Sequence, residues 1–285
     1  MALSNPAFSR NPAFKPNNSA AGTTTATETN ALATAEGIQS LYEAPAATST
    51  DTGRMTYEDT IVKTVLLFVV ILATAAVGWF FPVLTIPGAI AGLVLGLVNS
   101  FKRKPSPALI LLYGAAQGLF IGGISALFEQ LWNGVVIQAV IATLAVFAVT
   151  LVLFANGKVR ASARATKVFL VALIGYALFG AVNLVVMLFG GFSQTSTGGP
   201  FGIYSMHLPW LFNIPLGVVL GVIAVLLAAY SLVLDFDFIQ NGVKNRAPRV
   251  MGWYGAFGLA VTLIWLYVEF LRLFAIIAGG GGGRS

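Results

Sequence analysis

The sequence predicts an all-α membrane protein with seven transmembrane helices, and two observations lead to this prediction. Of its 285 residues, 57% are hydrophobic and only 9% are charged, with a mean hydropathy of +0.85, whereas a soluble domain carries about a quarter charged residues. The apolar residues are also concentrated in long runs. A run that crosses about 30 Å of hydrocarbon must be helical, because a helix satisfies its own backbone hydrogen bonds in lipid.

The chain begins with a polar stretch, residues 1–54, which is rich in Ala, Thr, Ser and Asn and has no periodic apolar face. This composition predicts a disordered cytoplasmic tail. The tail repeats the sequence Asn-Pro-Ala-Phe at 5–8 and 11–14, which is also a candidate docking motif. No apolar core lies near residue 10, so a cleaved signal peptide is not expected.

Seven apolar segments follow in a predicted transmembrane domain, residues 55–279, ahead of a Gly-rich end, residues 280–285. Each segment can span the hydrocarbon at 1.5 Å per residue. The first two are joined tightly between Pro82 and Pro87, which predicts a helical hairpin. The predicted segments are 61–81, 83–101, 107–128, 131–154, 168–190, 212–239 and 255–278.

Lysine and arginine occur in alternate connections. They lie in the tail and in the 2–3, 4–5 and 6–7 connections, whereas the 1–2, 3–4 and 5–6 connections contain none. The positive-inside rule then places the N-terminus in the cytoplasm and the C-terminus outside a plasma (inner) membrane. The basic residues that give the net charge of +6 are thereby explained as residues flanking the lipid bilayer on its cytoplasmic side, and no nucleic-acid partner is expected. The uncharged outer connection, 190–210, is predicted to be either a lid or a plain loop.

Several classes of site are excluded by composition. The chain has no cysteine, hence no disulfide or thiolate metal site, and its single histidine, His207, cannot build a His-rich metal site. Residues 252–278 lack the lysine that a retinal protein needs, and His207 lies in a connection rather than in a segment. An aspartyl intramembrane protease would need two acids on neighbouring helices together with Gly-rich surroundings that are missing here. We therefore expect neither an enzyme nor a bound cofactor.

Rows of small residues predict where helix backbones approach one another in lipid. In the sixth segment the row continues through Ala224, Ala228 and Ser231 to Asp235, which places Asp235 towards the bundle and Asp237 on another face. The predicted packing glycines are Gly88, Gly92 and Gly96 in the second segment, Gly114, Gly118 and Gly122 in the third, and Gly217 and Gly221 in the sixth.

Acids within apolar segments are costly and are therefore functional candidates. Asp235 and Glu269 both lie on small-residue faces, whereas Asp237 and Glu129 are better explained as interfacial acids. If Asp235 and Glu269 meet, they cannot both be ionised and would share a proton, so that pH would set how their helices fit. Their deprotonated oxygens would also suit Ca²⁺. The alternative for Glu269 is an i,i+3 ion pair with Arg272. The two acids differ in depth unless 247–256 is interfacial and the last helix begins late.

At these residues the sequence resembles the Bax inhibitor-1/YccA family of seven-helix membrane proteins, from about Thr56 to Ile277. The resemblance lies in the stretches 231-SLVLDFDF-238 and 266-LYVEFLRLF-274. It implies a bundle with the last helix in the middle, and it implies that Asp235 and Glu269 are the paired acids of a pH-sensitive calcium leak. This chain departs from the family pattern by having Glu rather than Asp as the second acid, Asp237 where Gln is common, and Arg272 on the Glu269 face.

Two functions follow as expectations. The first is a pH-gated cation (Ca²⁺) leak or channel in which Asp235 and Glu269 form a proton-sharing latch and are the candidate Ca²⁺ ligands, with Asp237, Arg272 and Ser231 in support. The second is a non-transporting regulator that binds a membrane-bound protease or another membrane partner through its tail and Gly-rich faces. Family members with such roles, or with a protective role against cell death, motivate the second expectation.

Overall fold

In a computed structural model of the chain, the structure describes residues 53–188, 201–209 and 213–281. Within these residues it has seven long α-helices and three 3₁₀ turns. All seven helices are long and apolar enough to cross a membrane, which confirms the predicted fold class. They are α1 (Tyr57–Phe80), α2 (Thr85–Phe101), α3 (Pro107–Leu131), α4 (Val135–Ala155), α5 (Ala163–Leu188), α6 (Leu216–Lys244) and α7 (Gly252–Gly281).

The helix ends follow from local sequence. Thr56 caps α1 by accepting a hydrogen bond from the backbone N–H of Asp59 at 3.2 Å. Pro82 follows α1 and opens the 3₁₀ turn Pro82–Leu84, and Pro107 stands in the first turn of α3, where its missing N–H breaks no helical hydrogen bond. Gly134 precedes α4 with a φ of +83°, a conformation that glycine adopts without a steric penalty.

Several helices extend beyond the predicted apolar segments at their polar ends, α5, α6 and α7 among them. α5 begins at Ala163 rather than near residue 168, and α6 continues to Lys244 rather than ending near residue 239. α7 begins at Gly252, directly after the 3₁₀ turn Arg249–Met251. Helical hydrogen bonding continues into these polar turns because their side chains can reach water or headgroups from the membrane edge. The apolar segments alone therefore underestimate helix length.

The predicted glycines lie at helix contacts. A Cβ at Gly118 or Gly122 of α3 would overlap atoms of Thr74 or Ala75 of α1, so only glycine permits this approach. The other glycines face side chains or backbone of the neighbouring helix. Gly88, Gly92 and Gly96 face α3, Gly114 faces α1, and Gly217 and Gly221 face α7. Close backbone contact thus joins α1, α2 and α3, and separately α6 and α7.

Among the described elements, α7 packs against α1, α3, α4 and α6. Its candidate span also has the largest buried share of the seven, at 56%. The central place of the last helix in the bundle stays a prediction, but these contacts show that α7 links the group formed by α1, α2 and α3 to α4 and α6. Side chains on α7 therefore meet residues from several other helices.

The connections that carry Lys and Arg lie at one end of the bundle, called here the basic end. The backbone N–H groups of Met55 and Arg249 donate to the carbonyls of Ala247 and Gly53, each at 2.8 Å, which pairs the approach to α1 with the α6–α7 connection. Side chains strengthen this junction, since Asp59 accepts from Lys63 and from Nε of Arg249. The hydroxyl of Tyr254 also bonds the carbonyl of Lys102.

At the opposite end, part of the predicted lid or loop folds onto the bundle. In the 3₁₀ turn Gly202–Ser205, Tyr204 is buried and the backbone N–H of Ile203 donates to Oδ1 of Asn183 at 2.8 Å. Two short strands, His207–Leu208 and Ile214–Pro215, pair antiparallel before α6. Residues 189–200 and 210–212 of this connection lie outside the described residues, as do 1–52 and 282–285 of the predicted tails.

Candidate functional site

Asp235 lies in α6 and faces α7 at a gap left by a glycine. Its Oδ2 atom accepts a hydrogen bond from the hydroxyl of Thr262 at 2.7 Å. A Cβ at Gly258, one turn before Thr262, would come within 2.6 Å of Oδ1 of Asp235. Since real Cβ atoms do not come that close, a larger residue at position 258 would displace the carboxyl group. The glycine therefore makes room for an acid at the helix contact.

A second hydroxyl extends this contact. Oγ of Ser231 lies 3.1 Å from Oγ1 of Thr262, and Ser231 is one turn from Asp235 on α6. A threonine hydroxyl has one proton to donate. While that proton is directed to Asp235, Ser231 must be the donor to Thr262, so the three groups form a chain that ends on the carboxyl. We call Ser231, Asp235 and Thr262 the hydroxyl–acid cluster.

No cation neutralises Asp235 in the part of the chain that the structure describes. The ion pairs found there are Lys63–Asp59, Arg249–Asp59 and Arg272–Glu269, and none involves Asp235. Its polar contact is with a neutral hydroxyl alone. An acid in such a contact within a membrane is costly when it is ionised, and this makes its protonation state sensitive to its surroundings.

Glu269 has different surroundings. It is 3% exposed and forms an i,i+3 ion pair with Nη2 of Arg272. The hydroxyl of Tyr176 on α5 and the indole N–H of Trp265 both donate to its Oε1 atom, the latter at 3.1 Å. Nη2 of Arg272 also donates to the Tyr176 hydroxyl at 2.7 Å. Glu269 is thus neutralised and fully hydrogen-bonded, which is the alternative that its spacing from Arg272 allowed.

Arg272 is itself held from the opposite end of the bundle. Its guanidinium lies 4.1 Å from the ring centre of Tyr204, which belongs to the 3₁₀ turn Gly202–Ser205. A guanidinium over an aromatic face gains a favourable cation–π interaction. The four residues Tyr176, Tyr204, Glu269 and Arg272 are called the ion-pair cluster, and they join α5, α7 and the connection that precedes α6.

The structure does not join Asp235 and Glu269 by a hydrogen bond, so the predicted proton-sharing latch is not formed in this conformation and stays a prediction. Asp235 meets α7 at Gly258 and Thr262, and Glu269 lies seven residues beyond Thr262, about 10 Å further along the helix. Asp235 and Glu269 would have come to a similar depth in the membrane if the last helix had begun late. They do not, because α7 is already helical from Gly252.

The described residues also contain no group of three or more His, Asp or Glu side chains that could hold a metal ion. The role of Asp235 and Glu269 as a pair of Ca²⁺ ligands stays a prediction. Ser231, named as a supporting residue, does lie beside Thr262 in the hydroxyl–acid cluster. Arg272, also named in support, neutralises Glu269.

Two other acids lie away from both clusters. Asp237 is partly buried near the basic end, and its Oδ2 accepts from the amide of Asn241 at 2.9 Å. Glu129 accepts from the backbone N–H groups of Gly134 and Val136, at 2.8 and 3.2 Å. Glu129 thus satisfies unpaired donors at the start of α4, a favourable place for negative charge.

Sequence reasoning missed Tyr176 and Tyr204 and gave Thr262 no functional role. A signal existed for Tyr176, because a phenol within an apolar segment needs a hydrogen-bond partner. No sequence signal identified which acid Thr262 would contact, since that depends on the axial register of α6 against α7. The junction of Asp59, Lys63 and Arg249 was likewise not predicted as a contact.

The comparisons with known proteins agree with this architecture. Residues 5–279 match the model of the family described as Bax inhibitor 1 like. A comparison with curated protein sequences finds no match. The match covers all seven membrane-spanning helices together with both clusters. With nearly the whole length matched, the chain belongs to the Bax inhibitor 1-like family of membrane proteins.

Proposed function

We propose that this protein is a pH-sensitive cation leak with Ca²⁺ as the transported ion, and that Asp235 is its proton-responsive group. One observation carries the proposal. Asp235 lies at the contact of α6 and α7 with the hydroxyl of Thr262 as its partner and no cation among the described residues, whereas Glu269 is neutralised by Arg272. Of the two acids on α6 and α7 that the sequence singled out, Asp235 is therefore the one whose charge can change without breaking an ion pair.

The hydroxyl–acid cluster explains how protonation would act. A protonated carboxyl fits the close contact at Gly258, since it needs only hydrogen-bond partners. An ionised carboxylate needs water or a cation to replace its lost hydration. Loss of the proton therefore favours separation of α6 and α7 near Thr262 and the entry of water. The oxygens of Asp235, Thr262 and Ser231 are then hard ligands of the kind that Ca²⁺ prefers.

This mechanism differs from the predicted latch in one respect. The proton is held by Asp235 with a hydroxyl of Thr262 and is not shared with Glu269. Glu269 and Arg272 instead fix α7 against α5 and the turn at Tyr204. These contacts would hold the C-terminal half of α7 in place while the half that contains Gly258 and Thr262 moves. The leak would cross the plasma (inner) membrane with the basic end inside, as the charge alternation favours.

Calcium flux into proteoliposomes tests the proposal. Wild-type flux should rise as the pH is raised from about 6 to about 8, because ionised Asp235 opens the contact. Asp235→Asn keeps an acceptor for Thr262 but cannot ionise, so its flux should lose this pH dependence. Asp237→Asn is the matched control, since Asp237 contacts Asn241 outside the cluster. The role of Asp235 would be refuted if the calcium flux of Asp235→Asn still depended on pH, or if Asp237→Asn lost this dependence to the same extent.

A regulator of a membrane-bound protease is the second candidate, and one observation favours it. The chain just before α1 is hydrogen-bonded to the α6–α7 connection through Gly53 and Met55. A partner bound to the preceding tail could therefore act on the helices that carry Asp235. Deletion of residues 1–52 separates the two functions, because a tail-dependent regulator loses its effect on the protease whereas a leak in liposomes keeps its flux.

A further inference from the structure

A deep apolar crevice runs between α1 and α4. Both helices pack against α7 but have few contacts with each other, so a gap remains in which α7 forms the floor. The larger part of the gap is a cavity of about 820 Å³. Tyr57 and Phe68 of α1 line one wall, Leu151 and Phe154 of α4 line the other, and Leu259 and Leu263 of α7 lie at the bottom.

The crevice opens sideways, towards the membrane. Apolar residues on its two rims are strongly exposed, with Ile61 and Val65 of α1 at 60% and 56% and Leu144 of α4 at 60%. A smaller cavity of about 420 Å³ continues it towards Trp79, and both cavities are lined by Leu144 and Leu263. The larger part extends along α1 from Tyr57 to Leu72, about 22 Å at 1.5 Å per residue. That is enough to hold an acyl chain from one leaflet of a core about 30 Å thick.

A cation marks the mouth of the crevice at the basic end. The guanidinium of Arg160 lies 4.5 Å from the ring centre of Phe154, and its Nη1 donates to Oε1 of Gln240 at 2.9 Å. Phe154 and Gln240 both line the larger cavity. Arg160 is exposed, and a guanidinium has five N–H donors, so its remaining donors are available at the level of the headgroups.

We propose that this crevice binds one anionic phospholipid, with an acyl chain between α1 and α4 and the phosphate at Arg160. The chemistry of the two ends matches that of the ligand, since the walls are apolar and a planar donor suited to phosphate lies where they end. The bound chain would contact Leu259 and Leu263, which flank Thr262 on α7. The lipid would therefore contact α7, the helix that provides Thr262 as the partner of Asp235. Lipid binding does not require that the protein be a cation leak.

Native mass spectrometry of the delipidated full chain with phosphatidylglycerol or phosphatidylcholine tests the proposal. We expect one phosphatidylglycerol to be retained in preference to phosphatidylcholine. Arg160→Gln should reduce that retention about fivefold, the effect of one basic side chain near an anionic lipid. Arg164→Gln is the control, because it removes a charge from the nearby first turn of α5, and Arg164 is not among the residues that line the crevice.

A second pair of variants tests the apolar part. Leu151→Trp fills the crevice from an exposed rim position and should lower the retention of phosphatidylglycerol, whereas Val149→Trp, also exposed on α4 but outside the lining, should not. Circular dichroism verifies that each variant is folded. Equal retention of the two lipids by the wild type would overturn the proposal. So would wild-type retention of phosphatidylglycerol in Arg160→Gln, or in a folded Leu151→Trp.

Discussion

The hydroxyl–acid cluster and the ion-pair cluster place a carboxyl group in opposite situations at the same helix, α7, which Asp235 contacts from α6 and to which Glu269 belongs. In the first, Asp235 has a hydroxyl donor from Thr262 and no cation within the described residues. In the second, Glu269 has a guanidinium, a phenol and an indole as donors. The clusters contact α7 at positions about two turns apart, so the carboxyl groups of Asp235 and Glu269 have different electrostatic surroundings.

This difference shows that burial alone does not identify a proton-responsive acid. Glu269 is the more buried of the two, at 3% exposure. Its charge is nevertheless balanced, and protonating Glu269 would leave the charge of Arg272 uncompensated. Asp235 is only partly buried, and the absence of a cation among its described contacts is what makes it responsive. The partner, rather than the depth, separates an acid that stabilises the fold from one that can change its charge.

The largest expected effect comes from removing the cation of the ion-pair cluster. Arg272→Gln leaves Glu269 buried beside neutral groups, and breaking a buried pair from one side costs about 3 kcal/mol or more. The free energy of unfolding in detergent, followed by circular dichroism, should fall by that amount. The double variant Glu269→Gln/Arg272→Gln should recover most of the loss, because it leaves no unpaired charge. A double variant as unstable as Arg272→Gln would show that packing over Tyr204, and not charge, explains the loss.

Much of the fold follows from the sequence, because the length of the apolar segments and the polarity of the connections determine it. Seven apolar segments and the alternation of basic connections need no tertiary information, and the observed helices match them apart from extended polar ends. Glycine rows also indicate which helix faces are in close contact, since only a residue without a side chain allows that approach. Gly118 and Gly122 against α1 are examples.

The candidate site was less predictable, since it depends on how two helices are aligned along their axes. Periodicity placed Asp235 and Glu269 on inward faces, but it carries no information on axial register. The register sets Asp235 opposite Thr262 and leaves Glu269 beyond it. The partner of Glu269 was partly foreseeable, because Arg272 lies three residues away on the same helix. Its other partner, Tyr176, comes from α5, and no local pattern connects the two.

Two variants that each remove a single hydroxyl compare the clusters directly, and the larger effect is expected at Thr262. Thr262→Val keeps the shape of the side chain but leaves Asp235 without its donor and Ser231 without its partner. Leaving such groups unpaired costs about 2 kcal/mol, which chemical unfolding in detergent would measure. The pH dependence of the calcium flux should also change. A variant with wild-type stability and flux would show that the hydroxyl chain is not required.

The smallest effect is expected for Tyr176→Phe, the corresponding change in the ion-pair cluster. The phenol hydroxyl contacts both Glu269 and Arg272, but Glu269 keeps its guanidinium and the indole N–H of Trp265 after the change. The loss should therefore be about 1 kcal/mol, close to the net value of one hydrogen bond. The pH dependence of the flux should remain as in the wild type, because the charge of Glu269 stays balanced by Arg272. A Tyr176→Phe variant whose flux loses its pH dependence while Thr262→Val retains it would reverse the assignment and make Glu269 the responsive acid.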